Sequence, residues 1–126
     1  MGASEKAAAA WHPEEAPEQL HDAALAAFSQ WLDDSMRGRT AEEVDLHRTM
    51  KVAEECGEAI AALIGVTGAN PRKGRTHTTV DLVGELLDVA VTALGAVEHF
   101  TGNRGVARRV LDDKILTVAH RTGVMR

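Results

Sequence analysis

Two short acidic runs hold the residues best suited to chemistry. Lys51-Val-Ala-Glu-Glu-Cys-Gly-Glu-Ala-Ile60 sets carboxylates among apolar neighbours, and Val80-Asp-Leu-Val-Gly-Glu-Leu-Leu-Asp-Val89 does so again. Glu55 and Glu58 are three residues apart, as are Glu85 and Asp88. On a helix that spacing stacks side chains one turn apart on one face. Two such pairs facing each other would converge four carboxylates, which repel unless a cation sits between them. Hard oxygen ligands with positions left for water and phosphate suit Mg²⁺, with Mn²⁺ as a substitute. Glu54, next to Glu55 and one turn from Glu58, is placed to orient a water or a second metal.

Those pairs need two long helices held antiparallel, and the sequence supplies them. Residues 1–16 are Ala-rich, hold Pro13 and show no apolar period, so they read as a mobile tail. One domain, 17–126, follows. Pro17 opens a first helix whose Leu20, Ala24, Ala27, Phe28, Trp31 and Leu32 form a stripe, running to about Met36. Thr40-Ala-Glu-Glu43 is a capping box for a second helix. That helix carries Leu46, Met50, Ala53, Gly57, Ile60 and Ile64 inward and is expected to end at Gly65. Gly65 to His77 is a loop with Asn-Pro and Lys-Gly turn signals and the cations Arg72, Lys73 and Arg75. Thr78-Thr-Val-Asp81 caps a third helix through about His99, with Val83, Leu86, Leu87, Ala90, Leu94 and Val97 inward. After the turn Thr101–Gly105 a final helix spans about Val106–Thr122. The expected fold is all-α, a four-helix bundle.

Composition narrows the function classes. With 126 residues, two Phe, two Trp and no Tyr, the core must be aliphatic and Ala-rich, which favours close helix packing over a β-sandwich. The net charge of −5 is uneven: residues 1–58 hold 13 acidic and 5 basic groups, residues 59–126 hold 6 and 9. This suits a cation site beside anion-binding groups better than a nucleic-acid surface. A single cysteine, Cys56, excludes an intrachain disulfide, and its acidic neighbours disfavour a thiolate. No apolar run approaches membrane-spanning length. The expectation is a cytoplasmic protein that binds neither membrane nor nucleic acid.

The segment Glu54-Glu55-Cys-Gly-Glu58, 26 intervening residues, then Glu85-Leu-Leu-Asp88 resembles the EExxE…ExxD signature of the MazG-like all-α nucleoside triphosphate pyrophosphohydrolases. The resemblance covers roughly residues 20–121. It implies a MazG-like bundle completed by oligomerisation, as a homodimer or homotetramer. It also implies a hydrolase that cleaves a nucleoside triphosphate between the α- and β-phosphates. Carried over position by position, Glu55, Glu58, Glu85 and Asp88 would bind Mg²⁺, and Glu54 matches the first glutamate. Arg72 and Lys73 are candidates for the outer phosphates, their alternative being a solvated loop. Lys114 and Arg121, on one face of the last helix, resemble the basic residues that end many members, although the Asn usual between them is absent. Trp31 either stacks on the base or packs in its apolar stripe.

A ferritin-like carboxylate bundle needs Glu-x-x-His on two helices, and only Glu18-Gln-Leu-His21 matches. A non-catalytic helical module that binds nucleotide or protein is the more serious rival. Within the family, phosphoribosyl-ATP pyrophosphohydrolase would use the same site on a different substrate.

Overall fold

Two reciprocal caps fix where the long helices begin. Thr40 Oγ1 accepts from Glu43 N at 3.2 Å while Glu43 Oε2 accepts from Thr40 N at 3.0 Å. Thr78 and Asp81 repeat the exchange at 3.2 and 2.8 Å. Each satisfies backbone donors that the first turn of a helix leaves open. The computed structural model describes residues 17–126 and shows four helices: α1 (Pro17–Ser35), α2 (Ala41–Thr67), α3 (Thr79–Phe100) and α4 (Ala107–Arg121). The chain is all-α, with no strand among the described residues. The expected tail, 1–16, lies outside them. No described helix is long and apolar enough to cross a membrane.

The second helix does not stop where its glycine suggested. It runs through Gly65 to Thr67, and Gly68 (φ 69°) provides the left-handed cap, its N–H donating to Ile64 O at 2.9 Å. Gly65 is a packing glycine. It is buried, its carbonyl accepts from Thr76 N at 2.9 Å, and a Cβ there would collide with the His77 ring. The loop thus folds back onto the last turns of α2, and α3 returns antiparallel.

Helices α2 and α3 share the most extensive contact, α1 packs chiefly on α3, and α4 touches α3 and α1 lightly. One register runs along the α2–α3 pair: Gly65 lies by His77, Glu58 by Glu85, Arg48 by Gly95 and Asp45 by His99. The residues of α2 buried in this chain are Arg48, Ala59, Ala62 and Gly65. The apolar stripe expected to face inward instead faces outward, with Leu46, Met50 and Ile60 all more than half exposed. On α3, Val83, Leu86 and Leu87 are exposed too. Small residues let the two backbones approach, which turns the larger aliphatic side chains away from the seam.

A polar joint locks the three longer helices. Arg48, 5% exposed, donates to Ser29 O, Ser29 Oγ, Gly95 O and Asp33 Oδ1 at 2.8–3.0 Å. His99 sits between two carboxylates, Nδ1 2.9 Å from Asp33 Oδ2 and Nε2 2.6 Å from Asp45 Oδ1. Both ring nitrogens can donate only in the imidazolium form. Burial pulls the His99 pKa down, but the bonds to Asp33 and Asp45 outweigh it and the net shift is upward. Burial likewise pushes Asp33 up, and its bonds to His99, Asn103 and Arg48 bring it below its ordinary value. At the far end of α3, the fully buried Glu98 accepts from Gly105 N at 2.9 Å and Ala107 N at 2.7 Å. It caps α4, whose own N-cap, Val106, has no side-chain bond to offer.

Candidate metal centre

Helix α2 sets Glu55 and Glu58 one turn apart, and the antiparallel register brings Glu85 of α3 level with them. Each of the three offers a carboxylate oxygen within 4.8 Å of the other two. Such crowding of like charge is costly without a counter-ion. Glu55 shows the strain: burial first, then the charge and hydrogen bond of Glu58, raise its pKa, with Asp88 adding to the rise and Lys51 opposing it. Asp88 stands outside the group of three, yet close enough for its charge to be felt at Glu55. One oxygen of Glu85, Oε2, is buried with no hydrogen-bond partner. A buried acceptor without a donor, beside two further carboxylates, fits a hard divalent cation.

Glu54 points elsewhere. Its carboxylate is 58% exposed and takes a 2.9 Å ion pair from Lys51, whose Nζ is also 3.8 Å from Glu55. Sequence reasoning passed over Lys51, although a residue four before Glu55 must share its helix face. His47 continues that face by another four residues. Its Nε2 lies 2.9 Å from Arg39 Nη1.

The remaining candidates are spread over the surface. Arg72 and Lys73 are exposed on the α2–α3 loop, which is shaped by Asn70: its side chain accepts from Arg72 N and its carbonyl from Lys73 N and Gly74 N. That loop begins roughly 15 Å along the helix axis from Glu58, at about 1.5 Å per residue. Lys114 borders an apolar groove between α3 and α4, and Arg121 is exposed at the end of α4. Trp31 is 64% exposed and stacks on Phe28 with ring centroids 6.1 Å apart. It is therefore not core. Phe28, not Trp31, reaches a cavity of about 280 Å³ between α1, α2 and α3, whose rim includes Lys51 and Glu55.

No family model, curated protein or solved structure matches this chain.

Proposed function

We propose that the chain is a Mg²⁺-dependent nucleoside triphosphate pyrophosphohydrolase, releasing a nucleoside monophosphate and pyrophosphate. The observation that carries this reading is the three-carboxylate group spanning α2 and α3, with one buried oxygen of Glu85 left without a donor. The likeness of these positions to the MazG-like signature gives the reaction. Glu55, Glu58 and Glu85 would hold the ion, with Asp88 completing the set. A bound Mg²⁺ would supply charge neutralisation on the polyphosphate and a more acidic water.

The chain's own groups divide the remaining tasks. Water oxygen bonds to the α-phosphorus as the bridging α–β bond breaks, and pyrophosphate carries off the electron pair. Once released from Lys51, Glu54 turns to the incoming water, orients it and accepts its proton. Its present partner, Lys51, is the cation nearest the carboxylates and turns to the phosphate chain when substrate binds. Arg72 and Lys73, with Lys114 and Arg121, serve the outer phosphates, and the roughly 15 Å between Glu58 and the start of the Arg72–Lys73 loop calls for contribution from a second copy. The outward aliphatic faces of α2 and α3 support the same assembly, a homodimer or homotetramer.

The test is pyrophosphate release from nucleoside triphosphates with and without Mg²⁺. Activity should need the metal and fall at least about a hundredfold in Glu58→Gln and Glu85→Gln. Undiminished turnover in both variants would remove the metal-centre reading.

A further inference from the structure

We propose that Lys51 is the built-in counter-ion of the carboxylate group, and that the polyphosphate of the substrate draws its ammonium away as Mg²⁺ is taken up. The free chain then binds Mg²⁺ weakly, and metal and nucleotide enter together. This rests on the pyrophosphohydrolase reading and adds the regulation of the same site.

Lys51 Nζ lies 2.9 Å from Glu54 Oε1 and 3.8 Å from Glu55 Oε1. Glu55 is one of the three acids whose oxygens crowd within 4.8 Å of one another. The bond to Glu54, opposed by partial desolvation, and then the charges of Glu54, Glu55 and Glu58 raise the Lys51 pKa. One ammonium therefore answers acids on two successive turns of α2.

Helix stabilisation gives little reason for a lysine at this point. Of the two orders for an i,i+4 ion pair, Glu before Lys is the better, and Lys51 before Glu55 is the reverse. The crowded acids one turn on do give a reason, since like charges at close range need a cation among them.

The ammonium is also free to leave. The Lys51 side chain is 51% exposed, and open grooves flank it, one lined also by Arg48 and Glu55, the other by Met50, Ala53 and Glu54. A four-carbon arm ending in a point charge can change partners without moving its helix. Arg48, on the same helix, cannot do this, because its guanidinium is 5% exposed and bonded to Ser29, Asp33 and Gly95.

The result is a coupling of definite sign. An ammonium beside Glu55 repels a divalent cation, and a polyphosphate offers that ammonium a denser negative partner. Whatever factor polyphosphate adds to Mg²⁺ affinity, Mg²⁺ must add to polyphosphate affinity.

Calorimetric titration of the full-length protein with Mg²⁺ alone tests this without turnover. Lys51→Met keeps an unbranched arm and removes the charge, so its Kd for Mg²⁺ should fall about fivefold at low salt, with a smaller difference at high salt. Lys51→Arg should stay within about twofold of wild type. A variant that merely loosened the helix would bind metal more weakly, so damage cannot mimic this gain. In a second measurement, the ε-methylene signal of Lys51 is followed by NMR as pyrophosphate is added in EDTA, and it should shift without any metal. Unchanged or weaker Mg²⁺ binding in Lys51→Met, or a Lys51 signal indifferent to pyrophosphate, overturns the proposal while the pyrophosphohydrolase reading stands. Tighter Mg²⁺ binding in Lys51→Met, with no pyrophosphate released from any nucleoside triphosphate, supports the counter-ion and sinks the reaction.

Discussion

Glu98 offers the sharpest quantitative check on the fold. Its carboxylate is inaccessible to solvent and holds the backbone N–H groups of Gly105 and Ala107 at 2.9 and 2.7 Å. Hydrogen bonds to a charged acceptor contribute about 1.5–3 kcal/mol each, and a buried donor left without a partner costs a similar amount. Because both donors belong to one turn, the two losses overlap, and Glu98→Ala should cost about 3–5 kcal/mol. At about 4 °C per kcal/mol for a chain of this size, the melting temperature should fall by about 12–20 °C. Glu98→Gln keeps the volume and one acceptor but turns an NH₂ toward the second N–H, so it should recover only part of the loss. Thermal unfolding followed by circular dichroism measures the total, and amide exchange at Gly105 and Ala107 localises it to the start of α4. A loss under about 1 kcal/mol for the Ala variant, or exchange that quickens everywhere except that turn, would refute the capping role.

Three further outcomes are expected. The Asp33–His99–Asp45 joint makes stability pH-dependent with a definite sign. Asp33, held below its ordinary value, contributes fully above about pH 4 and loses this as pH falls through its native pKa. His99, held above its ordinary value, contributes fully below about pH 6.5 and loses this as pH rises through its native pKa. Urea titrations should therefore show a maximum between those limits, and His99→Gln should flatten the alkaline side; stability that climbs from pH 6 to 8 contradicts the joint. Gly65→Ala should cost about 1–2 kcal/mol despite the better helix propensity of Ala, because the new methyl meets His77 and lies 2.7 Å from the Thr76 hydroxyl; chemical denaturation reads this directly, and a gain in stability would deny the loop packing. Mg²⁺ at a hundredfold excess over its Kd should stabilise the protein by about 2.7 kcal/mol. Glu85→Gln should lose most of that effect while leaving the metal-free protein at least as stable as wild type. An equal Mg²⁺ shift in both proteins would place the ion elsewhere.

What could be read from the sequence was what is local. Both capping boxes, the loop between the long helices and the i,i+3 carboxylate pairs depend on neighbours a few residues away, and the antiparallel return followed from the loop. The bundle's inner face did not follow. The aliphatic stripe Leu46–Met50–Ile60 is more hydrophobic than Arg48–Ala59–Ala62, yet the second set is buried. Arg48 can be buried because its partners stand 15, 19 and 47 residues away along the chain, where no spacing rule reaches. His99 was obscure for the same reason, with partners 66 and 54 residues away, and Glu98 because the N–H groups it accepts from lie across a turn in the next element. Trp31 has the spacing of a core residue but an exposed position. At the site, three of four expected carboxylates group within 4.8 Å, with Asp88 nearby, whereas the neighbouring Lys51 went unnoticed although its spacing from Glu55 was in plain view.

The register between α2 and α3 also bears on how the acidic group tolerates its own charge. Arg48 against Gly95 fastens one end of the helix pair, and Gly65 beneath Thr76 and His77 fastens the other. Glu55, Glu58 and Glu85 occupy the span between these two rivets. Repulsion at mid-span would have to bend both rods or shear a fastening, so the helix pair itself keeps the three carboxylates close together, and a cation bound among them would need little rearrangement of the backbone.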